Sequence, residues 1–385
     1  MTISGIIAEF NPFHNGHQHI ISKMKEQSDC VIAVMSGNYV QRGEPAIFTK
    51  YLRAEAALLC GVDLVIELPT PWSTGGADSF AYGAVSILMN AGANALYFGC
   101  EQKNIDKLIA VAKADINLVV NTAPNETFAK ARERAISEEL GIDCSDILGS
   151  PNNNLAVAYI KAAEVLGADF RLNPVQRIGA EHDSRVFTRT VCSASYLREN
   201  IENGLLLDEF IPSKANTLYK VAMQSGQYLN RSNFKFAAFL KLRAMYDYSK
   251  LPDLSEGLEN RLSKAVKLSR SYDEVLKSAK TKRYTEARIR RLILSAFLDS
   301  EKSQNKVPVP YLNILGMTKR GEAQIKRIAN SAKIPLIYSG KASFPLDKDG
   351  EILLNKEVIR NNIYSALLYS PRPSYEDFTN KIIKI

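Results

Sequence analysis

Three of the chain's four histidines, His14, His17 and His19, stand within six positions in "FNPFHNGHQHII" (Phe10–Ile21). Imidazoles this close have three chemistries open to them. They could bind a metal, although tetrahedral sites draw ligands from more than one element and the distant His182 has no metal-like spacing to this loop. They could cap a loop. Or they could donate hydrogen bonds to phosphate oxygens, stabilising charge as it moves onto a leaving pyrophosphate. Gly16 allows close backbone approach, and a helix starting here would offer unpaired N–H groups to an anion.

Other groups fit the phosphate chemistry. "SASYLR" (Ser193–Arg198) reads as a Ser-capped helix start with Arg198 one turn on, a second place for an anion. Arg42 in "QRGEP" is either turn chemistry or a cationic clamp for a carboxylate. Asp78 and Ser79 read as helix caps. The lone Trp72 reads as core or rim packing. Between Arg261 and Arg291 eleven basic residues face three acids, and that excess equals the net charge of the whole chain, +8. A localised basic stretch is the footprint of a polyanion partner, unless it is a solvated helix face.

The elements that must hold these groups alternate in the first half. "ISGIIAEF", "CVIAVMS", "VDLVIELP", "NALYFGCE" and "RLNPVQRIG" read as strands. Amphipathic helical segments lie between them, which predicts a parallel sheet with crossover helices, an α/β fold. In such a sheet ligands bind beyond the carboxyl ends of the strands. The histidine loop leaves one of those ends. After about Gly204 helical periods follow one another and carry the basic stretch. A small strand–helix–strand unit follows, through "YLNILG", "GEAQIKRIANSA" and "IPLIYSG". A last helix runs through "NKEVIRNNIYSALLYS". We expect two domains, 1–205 for nucleotide binding and 206–385 mainly helical and basic.

Composition limits the alternatives. With 46% hydrophobic and 23% charged residues the chain reads as soluble and globular. No apolar run approaches the ~20 residues of a membrane span. No leader peptide is expected, and five scattered cysteines without a C-x-x-C read as buried thiols in a cytoplasm. Oligomeric state is not legible.

"HNGH" after "FNPF" resembles the histidine–glycine–histidine signature of the class I nucleotidyltransferase superfamily. The longer set "EFNPFHNGH", "VMSGNYVQRGEPA", "GVDLVIELP", "ADSFAYGAVSIL", "YFGCE", "SPNNNLAVAYIKA" and "SASYLR" resembles the tRNA(Met) cytidine acetate ligase family over most of the chain. The resemblance implies a Rossmann-like nucleotidyltransferase domain. The activity it implies is activation of acetate with ATP and acetylation of N4 of the wobble cytidine of elongator tRNA(Met). Mg²⁺ would accompany the triphosphate, with no dedicated carboxylate cage for it.

Site residues carry over on the same basis. The ATP loop would run from Ile7 through Ala8, Glu9 and Phe10 to Asn11, Pro12 and Phe13. It would continue through His14, Asn15, Gly16 and His17 to Gln18, His19 and Ile20. His14 and His17 would be catalytic at the triphosphate. Gly99 would end a strand beside the nucleotide. Asn152 and Asn153 match the family's asparagine pair, with the ligand among Asn152–Asn154 left open. Arg177, Ser193, Ser195 and Arg198 complete the ATP set, and Arg42 is the candidate for acetate. Lys282, Arg283, Arg288, Arg290 and Arg291 are the candidates for tRNA contact. Two rival functions use some of these features: a nucleotidyltransferase of cofactor synthesis, and a nucleotide-dependent RNA-binding protein without chemistry.

Overall fold

A computed structural model describes residues 1–102, 104–116, 118–121, 126–176, 192–254, 257–301, 307–331 and 333–385. β1 (Ile3–Ala8), α1 (Asn15–Lys25) and β2 (Cys30–Ser36) come first. A hairpin of β3 (Tyr39–Val40) and β4 (Glu44–Pro45) leads into α2 (Lys50–Leu59). β5 (Leu64–Leu68), α3 (Ala77–Asn90) and β6 (Ala95–Cys100) follow. Four helices, α4 (Ile105–Ala114), α5 (Phe128–Leu140), α6 (Ser145–Leu148) and α7 (Pro151–Leu166), precede β7 (Arg171–Gln176), and α8 (Ala194–Glu202) ends the first half.

The helical part holds α9 (Ser213–Gln224), α10 (Arg231–Ala244), α11 (Leu258–Leu268), α12 (Tyr272–Ala279) and α13 (Glu286–Phe297). The chain then passes through β8 (Leu312–Met317), α14 (Lys319–Ser331), β9 (Leu336–Tyr338), β10 (Lys341–Ala342), α15 (Lys348–Ala366), α16 (Glu376–Thr379) and β11 (Ile383–Lys384). Helices α4, α5, α9 and α12 add to the pattern read from the sequence. α5 shows why they are hard to read: it buries only Ala131 and Ile136, so it has no apolar stripe.

The expected parallel sheet is present. Its order is β10-β9-β8-β5-β2-β1-β6-β7, with β11 beside β8. The run from β5 to β7 is parallel throughout. β2 is buried on both faces, which is why "CVIAVMS" is apolar without alternation. The sequence direction reverses around β1, which pairs with β2 on one side and β6 on the other. In such sheets the strand-order reversal marks a crevice beyond the carboxyl ends, here those of β1 and β6, as the usual ligand position. β8 joins β5 antiparallel, so the small strand–helix–strand unit continues the main sheet. Strands from both sides of residue 205 therefore share one sheet.

The helical part packs on the same core. Phe48 after the hairpin stacks on Tyr219 of α9 at 4.4 Å, and the Tyr219 hydroxyl accepts a hydrogen bond from the Phe13 amide at 3.1 Å. Trp72 is core, donating its indole N–H to the Val307 carbonyl. All five cysteines are buried and unbridged. No helix among the described residues is long and apolar enough to cross a membrane.

Two cations lie on the buried face of α2. Lys50 is fully buried and donates to Glu67 at the end of β5 (2.8 Å) and to Asp377 of α16 (2.6 Å). Burial alone would lower the Lys50 ammonium; Asp377 and Glu67 outweigh it and hold it well above the ordinary lysine value. Removing the cation leaves two buried carboxylates facing each other. Lys50→Met should therefore cost about 3–5 kcal/mol at neutral pH. Urea unfolding measures it, and the deficit should shrink toward acid pH, where the stranded carboxylates take up protons.

Candidate functional site

The crevice is built first by the loop after β1. His14 is the N-cap of α1, and its Nδ1 accepts the Gly16 amide at 3.0 Å. The Nδ1 of His17 accepts the His14 amide at 3.2 Å, closing a reciprocal capping box made of two imidazoles. The rings stack 3.8 Å apart. Because each Nδ1 accepts, each neutral ring carries its proton on Nε2. The box that ends the loop thus also fixes the tautomer, with the proton of each ring on Nε2. Phe10 and Phe13 pack on His17 at 5.0 and 5.5 Å and hold its plane.

The rest of the loop divides by role. The side chains of Ile7, Phe10, Pro12 and Phe13 are buried and form the wall behind the loop, while Ala8 and Glu9 are partly exposed at the end of β1. The Asn11 carbonyl oxygen of the side chain accepts the Ile47 amide at 2.8 Å. Its Nδ2 is buried with no hydrogen-bond partner among the described residues. Asn15 donates to the Glu209 carbonyl. Gln18 turns to the Cys60 carbonyl, and Ile20 packs against the core. His19 lines a separate open groove of about 540 Å³ with Lys23, Tyr97 and Pro174. The structure therefore brings His14 and His17 together and sets His19 apart. The described residues contain no group of three His, Cys, Asp or Glu side chains able to hold a metal ion.

A second wall comes from α8. The Ser193 hydroxyl caps it by accepting the Tyr196 amide. The Ser195 hydroxyl accepts from Arg198 at 3.1 Å and from Arg42 at 3.3 Å. Arg198, itself buried, also donates to the Asn11 backbone carbonyl at 2.9 Å, so α8 is tied directly to the loop that leads into α1. Arg42 reaches from the β3–β4 hairpin, with its Nε 3.9 Å from a Glu9 carboxylate oxygen. Glu44 of the same hairpin lies 3.1 Å from the Arg198 Nε. Burial alone would raise the Glu44 carboxyl; Arg198, Arg231, Arg290 and Arg42 outweigh it and hold it below the ordinary glutamate value. Arg177 lies outside the described residues.

The third wall is the end of β6. Gly99 pairs with Val175 of β7 there. The asparagine run after it splits cleanly. Asn153 is buried, and its side-chain oxygen accepts the amides of Glu101 (2.9 Å) and Gln102 (3.0 Å). Asn154 accepts from Arg132 at 2.9 Å. Asn152 instead meets the exposed Glu101 carboxylate at the crevice rim. Asn153 therefore shapes the loop, and of the run it is Asn152 whose side chain stands at the rim.

Arg53 is a residue the sequence pattern does not single out. It is fully buried and donates to four backbone carbonyls: Phe48 (3.0 Å), Glu9 (2.6 Å), Ser36 (3.1 Å) and Gly37. The available signal was a cation on the alanine-rich face of "KYLRAEAALL", where apolar spacing puts it inside.

The basic stretch also divides. Arg261 donates to the Ser278, Ala279 and Lys280 carbonyls at the end of α12. Arg288 donates to the Asp253 carbonyl, Arg290 to Glu286, and Arg291 is half-buried. Lys264, Lys267, Arg270, Lys277, Lys280, Lys282 and Arg283 are exposed along the α11–α12 hairpin and its exit turn.

Residues 1–379 match the HIGH Nucleotidyl Transferase family. A tRNA(Met) cytidine acetate ligase from Caldicellulosiruptor saccharolyticus is 36% identical, over 97% of this chain and 96% of the relative. One from Clostridium tetani is 34% identical over 99% of each. The apo crystal structure of Thermotoga maritima TmcAL superposes with a TM-score of 0.92 at 29% identity, covering 100% of both chains. The form bound with alpha-thio ATP gives a TM-score of 0.90 over the same coverage.

Asn153→Ala should lower stability by about 1–3 kcal/mol, because two loop amides lose their acceptor. Asn152→Ala should stay within about 0.5 kcal/mol of the parent. Urea midpoints of the two variants test the division.

Proposed function

The chain belongs to the tRNA(Met) cytidine acetate ligase family of HIGH nucleotidyl transferases, and on that premise we propose that it activates acetate as acetyl-adenylate and transfers the acetyl group to N4 of the wobble cytidine of elongator tRNA(Met). It is an ATP-using ligase. One observation carries the finer reading: at the sheet's switch point Arg198 of α8 holds the Asn11 carbonyl, which ties α8 to the loop that leads into α1. The relative with alpha-thio ATP has the same fold along its whole length.

In this reading the triphosphate lies between the two helix starts. The Nε2–H groups of His14 and His17 donate to its oxygens, and Arg198, Ser195 and the buried Asn11 Nδ2 meet the pyrophosphate half. Asn152 and Gly99 border the nucleoside. Acetate, steered by Arg42, puts a carboxylate oxygen on the α-phosphorus. The bond from that phosphorus to the bridging oxygen breaks, and pyrophosphate leaves with the electron pair. The cytidine N4 then attacks the acyl carbon. AMP leaves, and the amine proton passes to water. The protein's part in the first step is positioning and charge stabilisation. Mg²⁺ would shield the phosphate charge when bound. With no three-ligand cluster among the described residues, phosphate oxygens and water would make up most of its shell.

The test is labelled acetate incubated with ATP and unmodified elongator tRNA(Met), followed by nucleoside analysis. Label in N4-acetylcytidine, with one AMP per acetyl group, is expected. Label absent there, or transfer from acetyl-coenzyme A without ATP cleavage, overturns the reading. Acetate-dependent pyrophosphate exchange that proceeds with no transfer to RNA would favour the cofactor-synthesis alternative.

His17→Ala should lower acetate-dependent pyrophosphate exchange by on the order of 10²–10³. Its stability should fall by only about 1 kcal/mol, the usual cost of a lost cap. Exchange rates and a urea melt on one preparation separate the two effects.

The exposed basic residues of the α11–α12 hairpin are the proposed RNA face. Replacing Lys264, Lys267, Lys277, Lys282 and Arg283 with alanine should weaken tRNA binding. It should also flatten the slope of log affinity against log salt by about 0.7–0.9 for each phosphate deprived of its cation. An unchanged slope would place the RNA elsewhere.

A further inference from the structure

Glu44 lies where the nucleotide crevice meets the helical part. Its carboxylate is buried. One oxygen faces the Arg198 Nε of α8 at 3.1 Å. The other is shared by Arg231 of α10 at 3.3 Å and Arg290 of α13 at 3.8 Å. Arg231 also pairs with Glu202 at 2.6 Å, and Arg290 with Glu286 at 2.7 Å. Among the described residues Glu44 is thus the one carboxylate that pairs with all three arginines. The packing is tight on the backbone side too. Gly43 has φ +80°, and a Cβ there would fall against the Arg290 and Arg291 backbone. The hairpin carrying Arg42 and Glu44 therefore rests on the first turns of α13, just after the exposed Lys282 and Arg283.

The exposures differ across the cluster. The Arg198 side chain is 6% exposed, Arg231 27% and Arg290 34%. The last two are open enough for a polyanion on the helical side to reach, whereas Arg198 is buried against the Asn11 carbonyl and the Ser195 hydroxyl. One carboxylate divided among three cations makes their partners interdependent. When an outside phosphate draws on Arg231 or Arg290, Glu44 is less neutralised and holds Arg198 harder. When a phosphate in the crevice draws on Arg198, Glu44 holds the other two harder.

We propose that Glu44 is a positioning residue that sets RNA on the helical face against pyrophosphate in the crevice, so that arrival of the RNA loosens the hold on pyrophosphate. The inference rests on the nucleotide and RNA reading above. It adds an order to the reaction: the acceptor would promote departure of the first product. Coupling between two sites is reciprocal, so pyrophosphate would weaken RNA binding by the same factor.

The sign makes this testable. A merely structural glutamate, once removed, would weaken binding. A carboxylate that competes for Arg198 does the opposite. The experiment is titration of labelled pyrophosphate into the full chain at low salt, with and without elongator tRNA(Met), for the parent, Glu44→Gln and Glu44→Asp. The parent should bind pyrophosphate at least about fivefold more weakly when tRNA is present, the lower end of ordinary coupling. Glu44→Gln should bind pyrophosphate more tightly than the parent without tRNA, and the tRNA effect should fall below about twofold, leaving only direct repulsion between two anions. Glu44→Asp, which keeps the charge, should retain the parent's order. Weaker pyrophosphate binding in Glu44→Gln, or no tRNA effect in the parent, overturns the proposal. If Glu44→Gln does not fold, Arg231→Gln replaces it: the tRNA effect should shrink, and an unchanged ratio overturns the proposal. Arg198→Ala is run beside these. If its pyrophosphate affinity equals the parent's, the phosphate reading of the crevice fails, a result separate from the coupling.

Discussion

The site depends on a cation with no carboxylate among its hydrogen-bond partners. Arg53 sits under the carboxyl ends of β1 and β2 and gives its N–H groups to the Glu9, Ser36, Gly37 and Phe48 carbonyls. Strands that stop at a crevice leave carbonyls without a ladder partner, and burying such groups unpaired costs about 1–3 kcal/mol each. One guanidinium answers four of them with fixed geometry. Burial lowers its own affinity for the proton, but the side chain stays charged at any physiological pH. The backbone of Glu9 is pinned this way five residues before His14. The histidine box thus starts from a fixed point, and the Ser36–Gly37 turn that leads into the Arg42 hairpin is fixed by the same group.

The second cation of α2 ties in the far end of the chain. Lys50 draws Glu67 from the sheet and Asp377 from α16 to one point. Around it Asn38 pairs with Asn361, and Tyr39 donates to the Arg360 carbonyl. Helices α15 and α16 therefore buttress the hairpin that carries Arg42 and Glu44. Such a network is expensive to desolvate and gains little in net stability against a well-packed apolar core. Its contribution here is geometric, because it ties residues more than 300 positions apart to the hairpin that carries Arg42.

Charge has two roles in the basic stretch. Arg261 and Arg288 are committed to carbonyls within the protein, Arg291 is partly covered, and Arg290 is shared between Glu286 and Glu44 while staying a third exposed. The lysines of α11 and α12 stay in water, as their small point charges and flexible stems favour, whereas the forked guanidinium suits buried or shared partners. Net charge therefore overstates the surface open to a polyanion, and the helix pair α11–α12 holds most of what remains.

The order of the main strands in the first half, and of helices α1, α2, α3, α7 and α8 between them, was legible from sequence because period and length agree there: β2 is a seven-residue apolar run, and α1 follows a loop whose residues cap it. His14 and His17 were legible only as members of one loop; their mutual capping and the stacking of their rings came from the fold. Helix α5 was not legible, for want of an apolar stripe. Nor was the place of β8, since a strand's neighbour is chosen by pairing across more than 240 residues, which no local pattern records. The same limit applies within the site. Sequence matched Asn152 and Asn153 to the family's asparagine pair and left the ligand among Asn152–Asn154 open; only the fold gave Asn153 two amides to accept. It named Arg290 as a candidate for tRNA contact, and only the packing of α13 on Gly43 placed it beside Glu44. What the sequence by itself determined were the chemical groups and the elements that start with them, because capping and periodicity act over a few residues. Which cation meets which anion was decided by the tertiary structure, because burial removes the water that would otherwise serve every one of them.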